Sequence, residues 1–125
     1  FDDKNGIWQY ELGDIEYSSG RTMEAETAYT NALKTLKHLP LLYVKRGEIR
    51  LKEKNVSGAI DDYESALALD STFVRALYGL GRGRMLFEQK DRAIAVFKKF
   101  LELWPNNDEK ALKVRQWIDD MEPVR

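Results

Sequence analysis

The stretch that decides the fold runs from Leu77 to Pro105 and reads LYGLGRGRMLFEQKDRAIAVFKKFLELWP. Within it Leu77, Leu80, Gly81, Ala93, Phe97 and Pro105 stand at offsets that recur upstream. Gly13, Gly47 and Gly81 are each 34 residues apart, as are Ala25, Ala59 and Ala93, and Tyr29, Tyr63 and Phe97. Small residues repeat on small and aromatic on aromatic. A period of this length is the mark of a repeat architecture, and it has to be settled before any local motif is weighed.

Working outward, each period divides into two helical stretches. Ile7, Tyr10, Leu12, Ile15 and Tyr17 recur at helical spacing and predict a first helix over about 4–18, with Asp2 and Asp3 placed to cap it. Ser18-Ser19-Gly20 ends it, since Gly20 can take the left-handed conformation that terminates helices. Thr22 is the expected cap of a second helix over about 23–37, whose apolar stripe is Ala25, Ala28, Tyr29, Ala32, Leu33 and Leu36. Pro40 suits the first turn of a third helix that reaches about Glu53. Lys54-Asn55 turns the chain into a fourth helix over about 56–69. Ser71 is the expected cap of a fifth reaching Phe87, and a sixth over about 91–103 is stopped by Trp104-Pro105. Asn106 with Glu109 has the spacing of a capping box and opens a seventh over about 108–121. Its apolar side is Ala111, Leu112, Val114, Trp117, Ile118 and Met121. A helical hairpin cannot bury both its faces alone, so the seventh helix reads as the cover of the last repeat.

These residues resemble the tetratricopeptide-repeat signature, close to WxxLGxxY, then AxxxF, then P, three times over between about Gly6 and Asn107. Gln9, Tyr43 and Leu77 stand at the Trp position, and Glu16, Arg50 and Arg84 at that of its Tyr. Pro105 falls at the closing proline, where Lys37 and Ser71 occupy the equivalent places. The resemblance implies an all-α fold, a right-handed α-solenoid of three antiparallel helix pairs plus a seventh capping helix. The repeats are expected at about 6–39, 40–73 and 74–107 and the cap at about 108–121, in a single domain of residues 1–125. Gly81 matches the family's close-packing position. Gly79 and Gly83 share its helix without a reason in the motif, although each costs about 1 kcal/mol against Ala in a helix interior. Packing or local softness is expected there, because GLGRGR lacks the preceding strand that a phosphate-binding loop requires.

Composition closes several routes. Twenty basic and 21 acidic residues leave a formal charge of −1, so no global field points to nucleic acid or an anionic membrane. The absence of cysteine removes disulfides, thiolate catalysis and Cys-based zinc sites. His38, expected at a helix end, has no second His or Cys to complete a metal site, so neither metal nor cofactor is expected. No apolar run approaches the roughly 20 residues that span a bilayer; a soluble protein without membrane insertion is expected, cytoplasmic or periplasmic. The chain opens at Phe1 without a signal-like segment, which reads as a mature form or an excised domain. Asp61-Asp62 and Asp119-Asp120 are neighbours on helices, where adjacent side chains diverge by about 100°. They read as solvated faces, and with no nucleophile elbow, dinucleotide fingerprint or P-loop an enzyme is not expected.

Binding is the function that remains. Stacked hairpins rotate slightly per repeat and build a concave surface lined by the first helix of each pair. The resemblance implies that this groove takes a peptide or a partner helix, giving a scaffold or adaptor with a protein or peptide partner. With Gly6, Pro40 and Val74 as equivalent starts, the residues facing the groove are Ile7, Tyr10, Asp14 and Tyr17, then Leu41, Val44, Lys45, Glu48 and Leu51, then Arg75, Tyr78, Arg82 and Met85. Tyr10, Tyr17 and Tyr78 carry large area with a polar tip, as interface anchors do. A helical stripe does not say which face it serves, so Leu51 and Met85 serve either groove or core.

Charge gives the groove a direction, with Asp14 and Glu48 in the first two repeats and Arg75 and Arg82 in the third. An extended peptide is expected with its basic part near Asp14 and its acidic part near Arg75 and Arg82. One subfamily grips chaperone tails with a two-carboxylate clamp of Lys, Asn and Arg. Its positions here hold Tyr10, Asp14, Lys45, Arg75 and Gly79, which disfavours that role. Glu16 and Arg50 are expected to pair between repeats. Two further readings stay open: a structural or weakly self-associating unit, motivated by Phe1, Ile7, Trp8 and Trp117, and the helical domain of a larger protein.

Overall fold

The computed structural model describes residues 4–123, and among these it contains seven helices and no strand. They are α1 (Lys4–Ser18), α2 (Thr22–Leu33), α3 (Pro40–Lys52), α4 (Val56–Leu69), α5 (Val74–Leu86), α6 (Lys90–Leu103) and α7 (Glu109–Met121). Helices pair α1 with α2, α3 with α4 and α5 with α6, and each second helix also lies on the first helix that follows it. The result is the all-α solenoid that the 34-residue period predicts, with α7 covering α6. No helix is long and apolar enough to cross a membrane.

The period works because equivalent residues meet equivalent neighbours. Ala25, Ala59 and Ala93 are fully buried, and Tyr29, Tyr63 and Phe97 lie one helical turn on and are buried with them. Small and aromatic residues thus alternate along each second helix, letting the paired helices approach while a ring fills the space beside them. Gly81 faces the Phe97 ring within the third pair. Gly79 and Gly83 turn the other way, toward Tyr63 and Ile60 of α4. The three glycines therefore serve packing on two sides of α5, and local softness is not needed to explain them.

The turns inside the pairs also repeat. Gly20, Lys54 and Glu88, again 34 residues apart, adopt φ of 83°, 67° and 56°. The N–H groups of Arg21, Asn55 and Gln89 then donate to the carbonyls of Glu16, Arg50 and Arg84 at 2.9, 2.8 and 2.9 Å, closing each first helix in the same way. Sequence showed this at Gly20 alone, because Lys54 and Glu88 are not residues that signal a left-handed turn.

Helix ends depart from expectation in particular places. The second helix stops at Leu33 rather than Lys37: Thr35 comes to rest against Gly6, and Leu36 turns into the core. His38 consequently lies exposed in the connection beyond that helix. Thr22 is already helical, with Arg21 preceding it and no side-chain cap. Ser71 does not cap α5 either; Asp70 accepts from the Thr72 N–H at 3.0 Å, and the helix begins only after Phe73. Asp108, not Asn106, caps α7, accepting from the Ala111 N–H at 3.1 Å and from the Trp104 indole at 3.1 Å. Asn107 instead accepts from Arg115 at 2.7 Å. Asp2 and Asp3 lie outside the described residues.

Two substitutions test this packing. A Cβ at position 79 would collide with the Tyr63 ring, so Gly79→Ala is expected to lower unfolding free energy by about 1–3 kcal/mol despite its better helix propensity. Glu88→Gly relieves a left-handed residue that bears a side chain and is expected to raise stability by about 0.5 kcal/mol. Urea denaturation of both variants reads the two opposite signs.

Candidate functional site

The first helices place their side chains in a continuous groove. One recess, of about 320 Å³, is lined by Asp14, Tyr17, Ser18, Tyr29, Lys45, Glu48 and Arg75. A second, of about 410 Å³, shares Tyr17, Glu48 and Arg75 with it and runs on past Leu51, Lys52, Tyr63, Tyr78, Gly79, Arg82, Leu86 and Lys110. The groove therefore crosses α1, α3 and α5 and ends against the first turn of α7.

Its floor is a ladder of charges built by the repeat. Asp14 on α1 accepts from Lys45 on α3 at 2.8 Å and from the Tyr29 hydroxyl at 2.5 Å. Burial, reinforced by that carboxylate, pushes the Tyr29 phenol far above its usual range. Glu48 on α3 then accepts from Arg75 on α5 through both oxygens, at 2.8 and 2.6 Å. Hydrogen bonding to Glu48 raises the Arg75 guanidinium further. Asp14, Glu48 and Arg82 occupy the same repeat position, 34 residues apart. At the third step the sign reverses, so the rung that a carboxylate would make is missing.

Aromatic rings hold the cations at that end. Arg82 lies 5.8 Å from the centre of the Tyr78 ring, and Lys110 lies 4.6 Å from the same ring and 5.6 Å from that of Trp104. Lys52 sits 5.5 Å from the Tyr17 ring. Among the described residues Lys52, Arg82 and Lys110 make no salt bridge, whereas Lys45 and Arg75 each do. Tyr78 is itself fixed by Phe100 at 5.5 Å and Trp117 at 5.9 Å. Its position thus depends on α6 and α7 as well as its own helix.

A family model described as tetratricopeptide repeat matches residues 10–72 and 44–108. The chain belongs to the tetratricopeptide-repeat family. Among curated proteins, this tetratricopeptide-repeat chain is 27% identical over 104 residues to serine/threonine-protein phosphatase T of Trypanosoma brucei brucei, covering 83% of this chain and 22% of that protein. It is 26% identical over 115 residues to RNA polymerase II-associated protein 3 of Mus musculus, covering 92% of this chain and 17% of that one. The chain therefore spans about a fifth of the length of these relatives. Among solved structures, the first tetratricopeptide domain of Spaghetti bound to an HSP90 peptide superposes with a TM-score of 0.86 at 24% identity, over 97% of this chain and 98% of that one. MamA gives a TM-score of 0.86 at 21% identity, over 96% and 68% of the respective chains.

Against the positions expected for a tetratricopeptide groove, Asp14, Tyr17, Lys45, Glu48, Arg75, Tyr78 and Arg82 do line the two recesses. Tyr10 stands behind them, 4.9 Å from Lys45 and edge-on to Tyr29 at 6.1 Å. Val44 is the departure. It is 0% exposed and belongs to the core. It shares a repeat position with Tyr10 and Tyr78, but its short branch does not reach the groove as the Tyr78 ring does. Leu51 serves both faces, buried in the core and edging the groove. Met85 packs against the third core cluster, Leu41 is half-buried and Ile7 is exposed outside both recesses. Lys52 and Lys110 were not expected at the groove. Counting back 34 residues from Lys110 reaches Ala76, which is buried in the core, so the period gave no signal for it.

Two electrostatic expectations also change. Glu16 does not meet Arg50; it accepts from Arg21 at 2.6 Å, on the turn that follows its own helix. Arg50 is taken by Glu26 at 2.9 Å and by Asp62 at 3.2 Å. Asp62 is not part of a solvated face, being only 2% exposed, while its neighbour Asp61 is. Arg46 grips Asp62 through two nitrogens, at 3.0 and 2.7 Å, and reaches Thr30 at 3.2 Å. This network ties α2, α3 and α4 beneath the groove.

Asp62→Ala is expected to destabilise the fold by about 3 kcal/mol, since two guanidiniums lose their common partner, with thermal unfolding as the readout. Asp108 offers a pH test. Its bonds to the Ala111 N–H and the Trp104 indole hold its carboxyl below the usual aspartate value. Its stabilising effect is therefore full above the ordinary aspartate range and is lost as pH falls through the lowered value. Tryptophan emission on acidification is expected to show that loss, and Asp108→Ala to remove this component.

Proposed function

We propose that this chain is a non-catalytic protein-interaction module that holds an extended peptide segment in the groove, with the segment's acidic part at the α5–α7 end. The observation that carries this reading is the broken charge ladder. Asp14 and Glu48 are each matched by a cation on the first helix of the following pair. Arg82 stands at the same repeat position with the opposite sign, beside Lys110 and Lys52, and no carboxylate of the described residues is bonded to any of the three. A ligand carboxylate supplies the missing rung.

The chemistry also says what part of the ligand does not lie at the other end. Asp14 already accepts from Lys45 and Tyr29, so a basic ligand group near it would compete with two bonds in place. Lys45 and Arg75, the cations at the positions of a two-carboxylate clamp, are likewise occupied. A peptide is held on this fold in the Spaghetti domain, but the groups that would hold one here are this chain's own: Arg82 and Lys110 for charge, and Tyr17 and Tyr78 for area. A groove of this kind, with partly exposed aromatic anchors between fixed cations, is the composition of a peptide-recognition surface.

The test uses fluorescein-labelled extended heptapeptides, one with glutamates in its carboxy-terminal half and one with glutamines in their place. The acidic peptide is expected to bind more tightly in anisotropy titrations, with affinity falling as salt rises. Arg82→Glu is expected to weaken it by about tenfold, equivalent to about 1.4 kcal/mol. Equal affinity for the two peptides, or an affinity and salt dependence unchanged by Arg82→Glu, overturns the reading.

A further inference from the structure

Tyr63 is 1% exposed, yet it lines the larger recess of the groove. The phenol end of its ring lies against Gly79 of α5, where any Cβ would run into Cζ and both Cε atoms. No fully buried side-chain nitrogen or oxygen of the described residues lacks a hydrogen bond. The Tyr63 hydroxyl makes none to the described residues. It is therefore the part of this side chain that the recess reaches.

The first repeat shows what such a hydroxyl does. Tyr29, 34 residues earlier, donates to Asp14, and Lys45 donates to the same carboxylate oxygen. The second repeat keeps the hydroxyl and loses both of its companions. Glu48, at the position of Asp14, has one oxygen bonded to Nε of Arg75 and the other to its Nη2. Gly79, at the position of Lys45, has no side chain to bring. Of the two tyrosines at this position, Tyr63 alone has a hydroxyl without a partner among the described residues. Burial, with the charge of Glu48 added, pushes its phenol well above the usual tyrosine range, so it stays protonated and donates. Lys52, Arg75, Arg82 and Lys110 line the same recess against the single carboxylate of Glu48. A hydroxyl donor in a cationic surround selects an anionic oxygen.

We infer that the Tyr63 hydroxyl is a binding group of the groove, donating to a glutamate side-chain carboxylate of the bound peptide in the recess it shares with Arg82. The ligand carboxylate takes at Tyr63 the part that Asp14 plays at Tyr29, accepting from a phenol and a cation together. This inference rests on the peptide reading of the groove, which it deepens from a charge preference to a particular contact. A glutamine in the same place offers an uncharged oxygen, which accepts more weakly.

Tyr63→Phe deletes one oxygen and keeps the ring that packs against Gly79. With the glutamate and glutamine heptapeptides, anisotropy titration of this variant is expected to show the glutamate peptide weakened about tenfold and the glutamine peptide changed by less than about twofold. With tyrosine isotope-labelled at Cζ, the Tyr63 resonance, assigned by its absence from the variant, is expected to move with the glutamate peptide and not with the glutamine one. Tyr29→Phe, which removes a bonded hydroxyl, is expected to lower the melting temperature, and Tyr63→Phe is not. Unchanged affinity of Tyr63→Phe for the glutamate peptide, while Arg82→Glu still weakens it, overturns this inference and leaves the groove reading intact. Equal weakening of both peptides overturns it as well, because the hydroxyl then meets the peptide backbone. So does a melting temperature lowered as far as in Tyr29→Phe, because the hydroxyl is then bonded within the fold. Indifference to both Tyr63→Phe and Arg82→Glu overturns the peptide reading with it.

Discussion

The carboxylate of Asp62, buried and gripped by Arg46 and Arg50, is the constraint on which the arrangement of the stack depends. Those two arginines also reach back to Thr30 and Glu26, so one buried group sets α3 against both α2 and α4. Apolar contacts alone would tolerate some sliding between helices, because dispersion is not directional. A two-pronged guanidinium–carboxylate contact does not, since it fixes distance and plane together. A buried ion pair is weak evidence for net stability. Its value here is registry: it settles the angle at which the first pair meets the second, and hence whether Asp14 and Lys45 face each other across the groove.

The second meeting of pairs is settled by shape. Gly79 and Gly83 let α5 approach α4 until backbone and ring are in contact, and no comparable buried charge lies at that seam. One junction is thus held by a polar lock and the next by the absence of side chains. Both outcomes place a first helix beside its successor at a spacing that lets Glu48 and Arg75 bond through two oxygens. The charge ladder along the groove is a consequence of those two junctions rather than an independent feature.

A repeat protein is also informative where its period fails. At the position shared by Asp14, Glu48 and Arg82 the sign changes, and the cations that result lie on aromatic rings, which attract cation without neutralising it. At the position shared by Glu16, Arg50 and Arg84 the sign changes again, this time on α1. The first departure leaves Arg82 without a salt bridge among the described residues, whereas at the second Glu16 is bonded to Arg21 within its own pair.

Number and order of helices, the membership of the core alanines and rings, and the left-handed turn at Gly20 follow from the amino-acid sequence, because a 34-residue period forces equivalent residues into equivalent surroundings. Most of the groove was legible for the same reason: the first helices share one concave face, and Asp14, Lys45, Glu48, Arg75 and Arg82 recur on it. What the period does not encode is how far a side chain reaches and which of several opposite charges it chooses. Val44 sinks into the core where tyrosines at the same position do not, Arg50 abandons Glu16 for Asp62 and Glu26, and Lys110 arrives at Tyr78 from the cap. Those outcomes depend on distances between helices far apart in the chain. Tertiary packing decided them, because pairing energy falls within a few ångströms while sequence spacing fixes only the face on which a residue begins.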